Sequence, residues 1–117
     1  MKASTKNRLV SLIVEDIYRA YPDLVERFGE NGRERTYEDN YHHLDHLETA
    51  FQMDNVTFFL DYTMWLNNVL TSRGVGTELI IDNYQRLIQI LDDCEMEEEA
   101  EKQAYIEYLK QGITVLS

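Results

Sequence analysis

The chain has one cysteine, one proline, five glycines and half as many bases as acids, and each shortage excludes something. The lone Cys94 cannot close an internal disulfide, and no zinc-type cysteine spacing exists. A reducing, cytoplasmic setting is therefore expected. No apolar run approaches the ~18 residues a membrane span needs. The basic start M-K-A-S-T-K-N-R leads into L-V-S-L-I-V, but Glu15 and Asp16 interrupt it before any small-residue cleavage site, so no secretory signal is expected. With 22 acids against 11 bases the net charge is -11. Such a surface repels phosphate backbones, so nucleic acid is not an expected partner. Glycine-rich phosphate loops and nucleophile elbows are missing too. Acids Asp92, Asp93 and Glu95 flank Cys94, and their field raises a thiol pKa, which argues against a nucleophile. The chain reads as non-enzymatic, with no cofactor.

What is present is helical periodicity over a single domain, residues 1–117. One helix is predicted over Ser4–Tyr21, capped by Ser4 or Thr5, with Leu9, Leu12, Ile13, Ile17 and Tyr21 on one face. Pro22 suits a first turn, so a short second helix is predicted over Pro22–Phe28, stopped by Gly29. A turn over E-N-G-R-E-R precedes a third helix, Glu34–Met53, whose apolar stripe is Tyr37, Tyr41, Leu44, Leu47 and Phe51. Asp54 is the predicted cap of a fourth helix, which carries Phe58, Phe59, Tyr62, Trp65, Leu66, Val69 and Leu70 and ends at Arg73-Gly74. Thr77 caps a fifth, with Ile80, Tyr84, Leu87, Ile88 and Leu91 on one face. A sixth covers Glu95–Lys110, with Ala104, Tyr105 and Leu109 inward and Gly112 weakening its end. Short connections force antiparallel neighbours, so the expected fold is all-α: an up-and-down bundle of four main helices, with a short second helix and a C-terminal helix added.

Two constellations are candidate binding residues. His42, His43 and His46 share a helix at spacings of three and four, with Glu38, Asp39 and Asp45 close by. Histidine pairs at that spacing beside a carboxylate can hold a first-row metal. The zincin pattern is broken, because His43 stands where the glutamate belongs. Of the di-iron pattern only Asp39-x-x-His42 is present. On the wheel set by Tyr41, Leu44 and Leu47, His42 and His46 fall toward the polar side and His43 lies beyond them. The expectation is three surface or boundary histidines without stoichiometric metal. The second constellation is Trp65 with Tyr62 and Phe58, an aromatic ledge that can stack a planar ligand or partner. Tyr41 and His42 complete the candidate ligand set Tyr41, His42, Tyr62 and Trp65. The competing reading packs these aromatics into the core, with Trp65 buried. Arg33 and Arg35 follow Gly32 at a helix start, where they either bind an anion or pair with Glu34 and Glu38. The acids from Asp92 to Glu101 read as a solvated helix start.

The segments Tyr21–Arg35 (Y-P-D-L-V-E-R-F-G-E-N-G-R-E-R), Glu38–Leu47 (E-D-N-Y-H-H-L-D-H-L) and Phe58–Val75 resemble a family of small helical domains in bacterial signalling proteins. Those domains stand alone or at the front of cobalamin-binding and other sensor or regulator modules. The matching positions are Tyr41, His42, Leu44, Tyr62, Trp65 and Arg73-Gly74, and the likeness extends to Leu91. It implies a helical regulatory or sensory module without its own catalysis. No Asp-x-His-x-x-Gly motif, no Rossmann half and no Trp-plus-Glu-His signature after Trp65 is present, which argues against direct cobalamin binding.

Three functions are thus open. The first is a regulatory module that binds a protein partner or itself. The surplus of apolar residues at Phe58, Phe59, Met64, Ile80, Ile81 and Ile90 predicts a twofold homodimer. The second is a small-ligand, metal or haem sensor built on the histidines and Trp65. The third is an acidic inhibitor that mimics nucleic acid.

Overall fold

The single proline and a left-handed glycine shape the start of the chain. In the computed structural model, which describes residues 1–117, α1 (Ala3–Ala20) ends just before Pro22, and α2 runs over Leu24–Met53. Gly29 lies inside α2 at φ 68, ψ -169, a region nearly closed to side chains with a Cβ. The chain bends there and resumes its helix at once. The predicted stop at Gly29 is therefore a kink, and E-N-G-R-E-R is helical rather than a turn.

The remaining helices are α3 (Val56–Ser72), α4 (Thr77–Asp93) and α5 (Glu99–Leu116), and there is no strand. No helix is long and apolar enough to cross a membrane. Several caps differ from expectation. Lys2, not Ser4 or Thr5, is the N-cap residue of α1. Asp54 closes α2 in the left-handed conformation, and Asn55 caps α3 by accepting from the Thr57 N–H at 3.0 Å. A two-residue link needs one residue that tolerates positive φ and one that caps, and Asp-Asn supplies both. Gly76 starts α4, while the Thr77 hydroxyl donates to Asn67 Oδ1 at 2.7 Å and ties that start to α3. The last helix begins at Glu99 rather than Glu95 and continues past Gly112.

Consecutive helices pack on each other, which makes an up-and-down all-α bundle. The C-terminal helix is not an addition to four walls. α5 lies against both α3 and α4, which touch each other least of all the neighbouring pairs. Gly112 is the reason it fits. A Cβ there would stand 2.9 Å from the Tyr84 ring and 3.3 Å from that of Phe59. This glycine permits a close approach and does not fray the helix.

The core is one cluster. It takes Leu9, Val10, Ile13 and Val14 from α1, Leu44 and Leu47 from α2, Phe59 and Leu66 from α3, Tyr84, Leu87 and Leu91 from α4, and Tyr105 and Leu109 from α5. Leu12, assigned to the inner face of α1, is exposed; Tyr37, Tyr41 and Phe51 are half-buried at the core's edge. In the acidic run, Glu99 and Glu101 lie in the first turn of α5, where the helix dipole favours them. Glu101 turns inward and accepts from the Tyr105 hydroxyl, so the run is not wholly solvated. Lys102 also folds in and caps α4, donating to the carbonyls of Asp92 at 3.1 Å and Cys94 at 2.9 Å.

Candidate functional site

The inward stripe of α2 runs through Asn40, His43, Leu44, Leu47 and Ala50, all buried. His43 is therefore a core residue, 3% exposed, where the wheel centred on Tyr41 puts it at the surface. The centre of the buried arc lies between His43 and Leu47, because α2 must face α3 and α5 as well as α1. Tyr41 is left on the edge, its hydroxyl donating to Asn7 on α1 at 2.8 Å.

His43 Nδ1 lies 2.6 Å from the Tyr62 hydroxyl, and the imidazole stands edge-on to the Tyr62 and Tyr84 rings. Burial pushes the imidazole pKa down to about 3, helped by the charges of His42 and His46. Burial likewise drives the Tyr62 phenol far above its usual range. Both groups are thus neutral near pH 7. The phenol has no other partner, so it donates to Nδ1 and leaves the imidazole proton on Nε2. Nε2 bonds to no protein atom, yet no fully buried side-chain polar atom lacks a partner. That edge of the ring therefore faces the cavity that His43 helps to line.

Two further polar pairs cross the core beside it. The Asn40 and Asn83 amides exchange hydrogen bonds of 3.1 and 2.8 Å between α2 and α4. Thr63 and Tyr84 share one of 2.9 Å between α3 and α4. None of these neutral groups leaves a buried polar atom without a partner, so they cost little and fix the helix register.

The cavity occupies about 480 Å³ at the end of the bundle where the α1–α2 and α3–α4 links meet. Its floor is apolar, from Ile17, Leu24 and Ile80, with His43 and Asn83 as the buried polar members. Tyr18, Tyr21 and Phe28 form an aromatic side beneath the kinked start of α2. Arg35, Asp39 and Arg73 carry charge around it. The Asp39 carboxyl is pushed up, chiefly by burial and also by Glu38, against the downward pull of His42, Arg73 and Arg35.

The candidate ligand residues are not gathered in one place. His42 is exposed, and Tyr41 faces α1. Tyr62 is buried, whereas Trp65 is 59% exposed on the outer face of α3, a correction to its expected burial. The Tyr62 and Trp65 ring centroids are 6.2 Å apart. His46 stacks on Tyr62 at 3.8 Å and on Phe58 at 5.6 Å, so part of the ledge exists with a histidine inserted in it.

His42, His43 and His46 do not converge. One is exposed, one faces the core, and one lies flat on Tyr62. No three histidine, cysteine or carboxylate side chains gather in a metal-ligating group. Neither Arg33 nor Arg35 pairs with Glu34 or Glu38; the Arg33 guanidinium sits over the Tyr18 ring at 5.1 Å, and Arg35 lines the cavity. The Cys94 thiol pKa is raised, mainly by burial rather than by its acidic sequence neighbours.

Sequence reasoning missed the cavity because four elements build it, and missed His43 because the buried arc of α2 is rotated away from Tyr41. The spacing Arg35, Asp39, His43 is the signal that was there to find. Searches against protein-family models, curated proteins and solved structures return no match for this chain.

Proposed function

We propose that the protein is a non-enzymatic regulatory module that acts by protein–protein contact through the outer face of α3, with a second copy of the chain as its first partner. The observation that carries this reading is the exposure of Trp65 at 59% and Met64 at 54% on one helix face. α3 has a single charged residue, Asp61, in a chain that is 28% charged. Aromatic and methionine side chains with few charges are the composition of an interface core. A charge-poor face also lets two copies with a net charge of -11 meet without strong repulsion at the contact. Half-buried Phe58 and Val69 extend the apolar strip on either side. The resemblance of Phe58–Val75 to helical modules of signalling proteins supports a regulatory role.

Sedimentation or light scattering at micromolar protein tests the reading. A mass near twice the 13.9 kDa chain is expected, with Trp65→Asp returning it to one chain at unchanged helical content. A wild-type protein that stays at 13.9 kDa across that range overturns self-association.

A further inference from the structure

Along α2, Arg35, Asp39 and His43 stand at successive steps of four, so they lie one above another on a single face, and all three line the end cavity. Arg73, the residue that closes α3, lines it as well, and both arginines are exposed at its rim. Neither guanidinium forms an ion pair, and the Asp39 carboxylate accepts no hydrogen bond. A further acid of the lining, half-buried Asp82, is already held by Arg86 at 2.7 Å and by the Tyr21 hydroxyl at 3.2 Å. The free charges are therefore two carboxylates, half-buried Asp39 and exposed Glu38, and two guanidiniums, above an apolar floor that also offers the His43 N–H.

We infer that this cavity binds a small zwitterion of the amino-acid type with an apolar side chain. Its ammonium sits on Asp39, its carboxylate lies between Arg35 and Arg73, and its apolar body rests on Ile17, Leu24 and Ile80. The charge pattern selects against the alternatives. A lone cation beside Asp39 and Glu38 leaves two guanidiniums without a counter-charge, and a lone anion between the arginines leaves two carboxylates without one. A ligand carrying both charges meets neither penalty and compensates a half-buried carboxylate that has no partner of its own. The volume of about 480 Å³ falls among pockets that hold small ligands, roughly 300–1,000 Å³. This site is separate from the α3 face, so binding here and self-association are tested independently.

Calorimetry and thermal melting of the full chain are the test, with L-leucine, L-phenylalanine and L-tryptophan as zwitterions. 3-Phenylpropanoate and 2-phenylethylamine are the single-charge counterparts of L-phenylalanine. At least one zwitterion is expected to bind one per chain and raise the melting temperature. For L-phenylalanine, removing either charge is expected to weaken binding roughly tenfold or more, the size of a lost charged hydrogen bond. Asp39→Asn and Arg73→Gln are each expected to lose a similar factor, while Arg19→Gln, outside the cavity, changes nothing. If a variant fails to fold, the comparison of ligands on the wild-type chain still decides. The inference is overturned if no zwitterion binds at millimolar concentration, if 3-phenylpropanoate or 2-phenylethylamine binds as tightly as L-phenylalanine, or if folded Asp39→Asn binds normally.

Discussion

Asn40 on α2 and Asn83 on α4 reach across the core and exchange two amide hydrogen bonds, of 3.1 and 2.8 Å, with both side chains buried. Asn40 spends its second N–H on the Thr36 carbonyl at 3.0 Å. Removing one amide leaves the other in the core without its partner. Asn83→Ala is therefore expected to cost about 1–3 kcal/mol in urea unfolding. The double variant with Asn40→Ala is expected to cost clearly less than the sum of the two singles, because it strands no amide. Additive losses would mean that the pair does not act as a unit.

Trp65 offers the opposite expectation for a large aromatic. With more than half its surface in water, Trp65→Ala is expected to lower the unfolding free energy by less than about 1 kcal/mol, against the ~3–5 of a buried aromatic. The measurement belongs at low protein concentration, where association does not add to stability. A loss above about 3 kcal/mol would mean that the indole packs inward.

The contrast between these positions shows what was legible in the sequence and what was not. Helix number, order and approximate ends follow from local signals: the period of Leu44 and Leu47, the Asp54-Asn55 link, Gly74 after Arg73. The inward phase of a helix does not follow when the helix is apolar all round. α3 has only Asp61 as a charge to mark its outer side, so Trp65 and Phe59 look equally suited to the core. The arrival of α5 decides between them, because Gly112 draws α5 onto Phe59 and turns Trp65 outward. His43 went unrecognised for the related reason that α2 serves neighbours on two sides. Nor is the cavity visible locally, since Arg35 and Arg73 lie far apart in the chain and meet only through the packing of α2 on α3.

Gly112→Ala pits two effects against each other. Helix propensity alone makes alanine better by about 1 kcal/mol. The added methyl, however, would stand 2.9 Å from the ring of Tyr84, a fully buried residue that also bonds to Thr63. Overpacking a filled core costs typically ~1–3 kcal/mol, so the net effect is expected to be destabilising. A denaturant midpoint at or above wild type would show that α5 has room to move away.

Acidification is expected to act first through His43. Its folded pKa of about 3 lies below the 6.5 of an unperturbed imidazole, so on acidification the unfolded chain takes up the proton before the folded one does. The stability tied to the neutral ring is complete above about pH 6.5 and is lost progressively as pH falls toward 3. At pH 5 the loss amounts to roughly 2 kcal/mol. The groups around the ring do not reverse this. Tyr62 stays protonated, since its phenol is raised, and His42 and His46 add repulsion when charged. The lowered carboxyl of Glu48, bonded to Lys6 and to the chain's amino group, contributes with the same sign but only below its ordinary range, near 4.5. Asp39 works in the opposite sense, because a raised carboxyl gains stability as pH falls through its folded value. His43→Gln keeps an acceptor for the Tyr62 hydroxyl and removes the titration. Urea unfolding of both proteins at pH 7 and pH 5 is the measurement. Wild type is expected to lose about 2 kcal/mol more than the variant over that interval. Equal losses would mean that the ring is not held neutral by burial, and that Tyr62 meets an imidazole open to water.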